Sequence, residues 1–418
     1  MNRRLLLVGL LSLSLMVSLL GFPQEKTEIT VWKWGATAIA QSYLQNAVNT
    51  FHAAYPNYSL NIVGKKATEY NSVLATSLQG GAGPDVFLTR INPMPTQFAK
   101  AGFVEPLEKL VPLLEYYDPA TLTPLSYKGH VYAVPYAAVG YGIFYNVDLF
   151  KKYNLTVPKT WDELITLCDK LQALGVTPIS MSNATWVYTE IYHPVIAASF
   201  LSDQWLKDLI AGKARFTDEA FVRTLEAAKQ LEKYFVKGWQ GVSYGDSHEI
   251  FESGKAAMIF DGNWMIPDFR GSGLNFDIFL CPPPADLVNA GAKMYWRIDG
   301  GWAFNARLTG AKRAAALDFL NFIAGPLAGE ILARDYGRMV VGPGVRLAHA
   351  DPVLAKMVQL REEYGVKIRY GCGGPFDFVQ PSISSVLGKV VQGVLLGALT
   401  PEQAAEQIQE TVNEQEHR

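Results

Sequence analysis

The sequence predicts an α/β protein with more than one domain, built in part on a parallel sheet with helical crossovers. Two observations carry this. After residue 26, strand-like and helix-like segments alternate in the order β-α-β-α-β, which places successive strands parallel with helices between them. The chain also has 418 residues, too many for one hydrophobic core.

The elements follow in order. "MNRRLLLVGLLSLSLMVSLLGF" sets Arg3 and Arg4 before an uncharged run over 5–22, the pattern of a secretory signal, with residues 1–25 as the segment removed. No A-x-A site is visible and the apolar run is long, so an uncleaved membrane anchor remains open. No cysteine lies near the run, which argues against a lipoprotein anchor, and no other stretch is long and apolar enough to span a bilayer. "EITVWKW" is the first strand. Tyr43, Leu44, Ala47, Val48 and Phe51 then share one helical face, and Pro56 ends that helix. "LNIVG" is a second strand. Tyr70, Val73, Leu74, Ser77 and Leu78 mark a second helix closed by Gly80-Gly81, and "DVFLT" is a third strand. Sheets of this kind bind ligands at the carboxyl ends of their strands.

The middle of the chain is mostly helical. In "TWDELITLCDKLQALG", Thr160 is an N-cap with Glu163 three residues on, and Gly175 closes the helix. "DEAFVRTLEAAKQLEKYFVKG" is amphipathic and ends at Gly238. Strands return at "AAMIF", which stops at a turn over Asp261-Gly262-Asn263, and at "FDIFL". "CPPPAD" is a rigid break. "GGWAFN" opens a further strand, "AKRAAALDFLNFIAG" is a helix, and Thr400 caps a final helix with Pro401 at its first position.

Composition excludes several functions. A formal net charge of −2 offers no electrostatic footprint for nucleic acid. Cys168, Cys281 and Cys372 lack zinc spacing and form no disulfide framework; buried thiols are the default, with one disulfide open in an oxidising compartment. The six histidines have no metal spacing, and no G-x-S-x-G, H-E-x-x-H or P-loop is present. The expectation is therefore no catalytic residue, no metal and no cofactor. "GGAGPDVF" precedes a strand rather than opening a helix, so it reads as a tight turn.

Aromatic residues gather near turns. Trp32 and Trp34 close the first strand, Tyr136 and Tyr141 flank "PYAAVGYG", and Trp186 and Tyr188 sit in "SNATWVYTE". Trp264 follows its turn, Trp302 follows Gly300-Gly301, and Phe376 and Phe378 sit in "GCGGPFDFVQP". Core packing explains any one of them. As a set at element ends they suit a sugar, whose apolar faces stack on rings while its hydroxyls need polar partners. Asp261, Asn263, Asp299, Asn183 and Asp377 lie within a few residues of those rings, where turn or cap roles compete.

At these residues the chain resembles the bacterial extracellular solute-binding proteins of carbohydrate ABC transporters, the group that includes maltose-binding protein. The motifs run in the family's order: a secretory signal before "EITVW", then "GPDVFL", "KGHVYAVPY", "IFYNVDLFKKYNLTVPKTWDEL", "FESGKAAMIFDGNW", "GGWAFN" before a helix, and "LTPEQAAEQIQE". The resemblance implies a periplasmic-binding-protein fold: two hinge-linked α/β lobes, each discontinuous in sequence, with a ligand cleft between. It divides the chain into 26–138 and 299–346 for the first lobe, and 139–298 and 347–418 for the second. It places crossings near 137–142, 297–302 and 342–351, where Gly140, Gly142, Gly300 and Gly301 offer backbone freedom for a hinge or a close ligand approach.

The resemblance also implies ligand contacts. Trp264 matches the ring that stacks on sugar from the second lobe, and the loop 34–37 and segment 90–92 match first-lobe contact regions. The candidate set is Trp34, Arg90, Asn92, Tyr141, Trp186, Asp261, Trp264, Asp299, Trp302, Phe376 and Asp377. Thr89, Asn92 and Val139 depart from the aromatic and acidic residues of maltose-binding protein, which puts maltose itself in doubt. The implied function is non-enzymatic: a monomer, periplasmic or membrane-associated outside the cell, captures a sugar or oligosaccharide and docks on an ABC transporter permease. Two alternatives stay open. A secreted glycoside hydrolase would need a carboxylate pair on rigid strand ends, and the acids here are dispersed. A receptor for an anion, a polyamine or a metal is the other. An anion needs clustered cations, of which Arg90 and Arg297 are near the proposed site.

Overall fold

The computed structural model describes residues 26–34, 38–66, 69–91, 93–366, 374, 376 and 382–416. Asn92 and Asp377, the segment 1–25 and Cys372 lie outside them.

Strands β1 (Thr27–Trp34), β2 (Tyr58–Lys65) and β3 (Val86–Thr89) pair in parallel, with helices Ala38–Ala54 and Tyr70–Gln79 as crossovers. A short hairpin, β4 (Ser126–Tyr127) and β5 (His130–Val131), precedes the long strand β6 (Val134–Asn146). Four more strands follow: β7 (Thr177–Ser180), β8 (Ala256–Gly262), β9 (Phe276–Phe279) and β10 (Trp296–Phe304). Among the described residues the main sheet runs β2-β1-β3-β10-β6-β8-β7, with β9 also on β6.

β6 joins the two lobes. Its first half pairs antiparallel with β10, up to Gly140 opposite Trp296. Its second half, from Tyr141 onward, pairs with β8 and β9. All of β6 except Tyr145 is buried, so "VPYAAVGYGIFYN" reads as a near-continuous run of apolar and small residues rather than an alternating pattern. Arg297 on β10 and Met339, whose carbonyl accepts from Ala138 N–H at 2.8 Å, bring the other connections to the same place.

Aromatic side chains pack on both sides of β6. On the β1 side, Phe51 packs against Tyr55, Phe319 and Phe322 beneath helices Gly310–Ala324 and Pro326–Tyr336. On the β8 side, Tyr192 packs against Phe235 and Phe260, with helices Trp161–Ala173, Glu219–Leu231 and Ile383–Leu395 around them. Thr160 caps its helix as expected: its Oγ1 accepts from Glu163 N–H at 3.2 Å. Thr400 and Gln403 cap the last helix reciprocally, at 3.2 and 2.9 Å. Helix Pro352–Tyr364 returns to the second lobe through Lys356 to Asp277 at 2.8 Å.

Two expectations about turns are corrected. β8 runs through Asp261 and Gly262, so the turn begins at Asn263. β10 begins at Trp296, so Gly300 and Gly301 lie inside a strand rather than opening one. None of Gly140, Gly142, Gly300 and Gly301 has a positive φ. These glycines are required by size. A Cβ at Gly300 would collide with the Thr89 carbonyl oxygen and the Trp34 ring, so the position admits no ligand either.

Candidate ligand-binding cleft

From the first lobe, Trp34 ends β1 and is wedged edge-on against Tyr70 at 5.4 Å and Tyr136 at 6.4 Å. Its free face is covered by the Arg90 guanidinium, 4.0 Å from the ring centre. Arg90 follows β3 and reaches Asp299 on β10 at 3.6 Å. Arg297 reaches the same Asp299 oxygen at 3.6 Å and holds Glu190 of the second lobe at 2.5 Å. A charged chain thus runs from one lobe to the other across the floor.

The second lobe presents Trp264. Its indole N–H donates to the Tyr244 hydroxyl at 2.9 Å, and that hydroxyl donates to Asp261 at 3.0 Å. Asp261 also accepts from Gly262 N–H at 2.7 Å and lies 2.7 Å from His248 Nε2. Tyr141 meets the indole edge-on at 5.4 Å, and Gly262 leaves room beneath the ring. Trp264 is therefore half-buried and fixed in orientation. Burial and the Asp261 carboxylate push the Tyr244 phenol well above its ordinary range, so it stays protonated as a donor. Trp186, 41% exposed, packs on Tyr244 at 4.5 Å.

An open cavity of about 520 Å³ lies beside this ring, lined by Tyr244, His248, Glu249, Glu252, Trp264, Tyr336 and Arg338 among others. Tyr336 ends helix Pro326–Tyr336 and Arg338 follows it, so the cavity is walled both by these residues and by the elements around Trp264. Asn263 is fully buried and pins the junction: it accepts from Gly140 N–H at 2.9 Å and donates to the Gly337 carbonyl at 3.0 Å.

The candidates divide accordingly. Trp264 and Trp186 offer surface from the second lobe, and Arg90 and Asp299 form a pair on the first. Asp261 is 0% exposed and its oxygens are engaged by Tyr244, His248 and Gly262, so here it positions the ring from within the fold. Trp302 is corrected to core, 2% exposed and wedged between Tyr136 and Phe319. Tyr141 is 1% exposed and packs between Trp264 and Tyr295, a support rather than a contact. The Phe376 ring packs on Phe216 at 5.6 Å and its carbonyl accepts from Gln415, among the second-lobe helices. Trp34 shows its surroundings Arg90 rather than an open face. Among the described residues no group of three or more His, Cys, Asp or Glu side chains could hold a metal ion.

Sequence reasoning missed Tyr244, Lys33, Tyr336 and Arg338. Lys33 carried a signal: it shares the strand face of Ile29 and Val31, a core register, and is 1% exposed.

The profile of the bacterial extracellular solute-binding protein family matches residues 35–330. A maltotriose-binding protein of Pyrococcus abyssi is 25% identical over 276 residues, 63% of this chain and 56% of that protein. A multiple sugar-binding protein of Streptococcus mutans is 25% identical over 269 residues, 61% of this chain and 62% of its own length. The chain thus spans less than two thirds of these relatives. A solved chitin oligosaccharide binding protein superposes with a TM-score of 0.78 at 22% identity, over 94% of this chain and 100% of that one. That likeness shows the two-lobed fold.

Proposed function

The chain belongs to the bacterial extracellular solute-binding protein family, and from that premise we propose that it captures a sugar or oligosaccharide and delivers it to an ABC transporter permease. The observation that supports this most is the Trp264 indole, held edge-on by Tyr141 and hydrogen-bonded to Tyr244, beside a cavity also walled by Tyr336 and Arg338. A fixed ring suits the apolar face of a pyranose, and the polar groups around it suit hydroxyls. Trp264 and Trp186 contact ligand from one lobe and Arg90 and Asp299 from the other; Asn92 and Asp377 stay candidates.

The lobes are taken as 26–138 with 299–346, and 139–298 with 347–418. Ligand that touches both favours the closed state, and the closed pair of lobes is what the permease meets. The protein acts as a monomer outside the cytoplasm, exported by its N-terminal segment, and performs no chemistry on its ligand.

The test is a thermal-shift screen over mono- and oligosaccharides with product analysis. Ligand at 100 times its Kd adds about 2.7 kcal/mol of stability. Stoichiometric stabilisation without products is the expected result. Turnover of the saccharide would replace this reading with a glycoside-acting enzyme.

A further inference from the structure

Lys33 is a cation without a counter-ion. It is 1% exposed, and its Nζ is enclosed with no hydrogen-bond partner. It lies 5.1 Å from the centre of the Tyr336 ring. Arg338 lies over the same ring at 4.6 Å and hydrogen-bonds Tyr336, while its Nε is buried without a partner. Among the described residues neither side chain makes an ion pair. The acid that acts on both is Asp299, and it already serves Arg90 and Arg297, each at 3.6 Å. The cluster therefore sets Lys33, Arg90, Arg297 and Arg338 against three carboxylates: Asp299, Glu190 and, facing Arg338, Asp268. Burial, and next Arg338, push the Lys33 amine down to about 7, with Asp299 opposing.

The cavity beside Trp264 reaches this cluster through Tyr336 and Arg338. Its remaining charged lining, Glu249, Glu252 and Asp268 with His248, belongs to helices Tyr244–Glu252 and Ile266–Gly271. Glu249 and Asp268 are exposed and Glu252 half-buried, so solvent reaches all three, whereas Lys33 is 1% exposed. Glu249 and Glu252 accept hydroxyls and repel an anion from their wall, and Asp268 faces Arg338, which leaves the Lys33 side of the Tyr336 ring for the anion.

We propose that the ligand is an acidic carbohydrate, whose carboxylate or phosphate seats against Tyr336 between Lys33 and Arg338 while a neutral ring stacks on Trp264. This rests on the carbohydrate reading above. An anion there supplies a partner to the Lys33 amine and to the Nε of Arg338, which the fold leaves without one, and a guanidinium grips either oxyanion through paired N–H donors. Neutral sugars leave the Lys33 amine buried and unmatched.

Calorimetric titration tests this with three probe sets: glucuronic and galacturonic acid with their di- and trimers, glucose 6-phosphate and galactose 6-phosphate, and the neutral glucose and galactose series. The expected result is that an acidic probe binds roughly tenfold or more tighter than its neutral counterpart. The carboxylate and phosphate sets identify which oxyanion is read. In Lys33→Met and in Arg338→Gln the ratio of acidic to neutral affinity falls toward one; if Arg338→Gln does not fold, Lys33→Met carries the test. Equal or tighter binding of neutral probes overturns the acidic ligand and leaves the carbohydrate reading standing. An unchanged ratio in the folded variants overturns the assigned cations. Binding of none of the three sets overturns the acidic ligand, and the wider saccharide screen then decides the carbohydrate reading.

Discussion

The indole N–H of Trp264 donates to the Tyr244 hydroxyl at 2.9 Å, and the same hydroxyl donates to the fully buried Asp261. The ring's orientation is thus set by a buried acid behind it. Tyr244→Phe removes the hydroxyl and leaves the indole N–H and one Asp261 oxygen without that partner. A lost buried partner costs about 1–3 kcal/mol. Stability should fall by that order in urea denaturation, and saccharide affinity should fall as well, because the ring is no longer held. Unchanged affinity in Tyr244→Phe would show that Trp264 needs no such support.

Trp264 and Trp302 should behave oppositely when truncated. Trp264 is half-buried at the cleft, so Trp264→Ala should lose affinity by roughly 5- to 150-fold, taking on the order of 1–3 kcal/mol for a stacked ring, with a modest loss of stability. Trp302 is packed between Tyr136 and Phe319, so Trp302→Ala should cost about 3–5 kcal/mol of stability and leave the folded fraction able to bind. Melting without ligand and titration of the folded protein separate the two. A Trp264→Ala protein with a strongly lowered melting temperature and normal affinity would make that ring core.

The β-α-β-α-β start was legible because period-2 and period-3.6 patterns alternate cleanly there, and helices Trp161–Ala173 and Pro401–Glu416 were legible from their caps. The two-lobed arrangement came from resemblance, since no local signal says that β6 serves two half-sheets. Misread residues share one cause. Gly300 and Gly301 look like a flexible strand opening to a local reading, but the Thr89 carbonyl and the Trp34 ring, distant in sequence, demand the missing side chain at Gly300. Asp261 looks like a turn acid, but Tyr244 and His248 from another helix bury it. Lys33 was readable from its register with Ile29 and Val31, whereas nothing in "DYGRMV" announces that Arg338 enters the cleft.

Gly300→Ala tests the crowding at the floor. The added methyl meets the Thr89 backbone and the Trp34 ring, and the backbone cannot rotate away. Overpacking of this kind costs about 1–3 kcal/mol, and here it also displaces the ring beneath Arg90. Chemical denaturation should show the loss, and affinity should fall with it. Gly271→Ala is the control: a Cβ there meets nothing within 4 Å, so stability should stay equal or rise slightly. Equal stability in both variants would contradict the packing.

Lys33 gives a pH dependence whose sign follows from its burial. Its pKa falls from 10.5 to about 7 through burial first and Arg338 second, with Asp299 opposing; the Tyr336 ring is the other neighbour. Below about 7 both the folded and the unfolded chain hold this proton, and the folded chain carries the full cost of a buried ammonium. Between about 7 and 10.5 the unfolded chain keeps a proton that the folded chain has released, so the unfolded state binds more protons and stability rises with pH. The slope reaches at most about 1.4 kcal/mol per pH unit. His193, lowered to about 3 by burial, acts below this window, between 3 and 6.5. Lys33→Met removes the amine, so the variant should be more stable than the parent at pH 7, and the gap should narrow as pH rises to 9. Urea denaturation of both proteins at pH 6, 7, 8 and 9 measures it. A gap that stays constant across that range would mean that Lys33 keeps its ordinary pKa, and the unpaired cation would then be solvated in the folded protein.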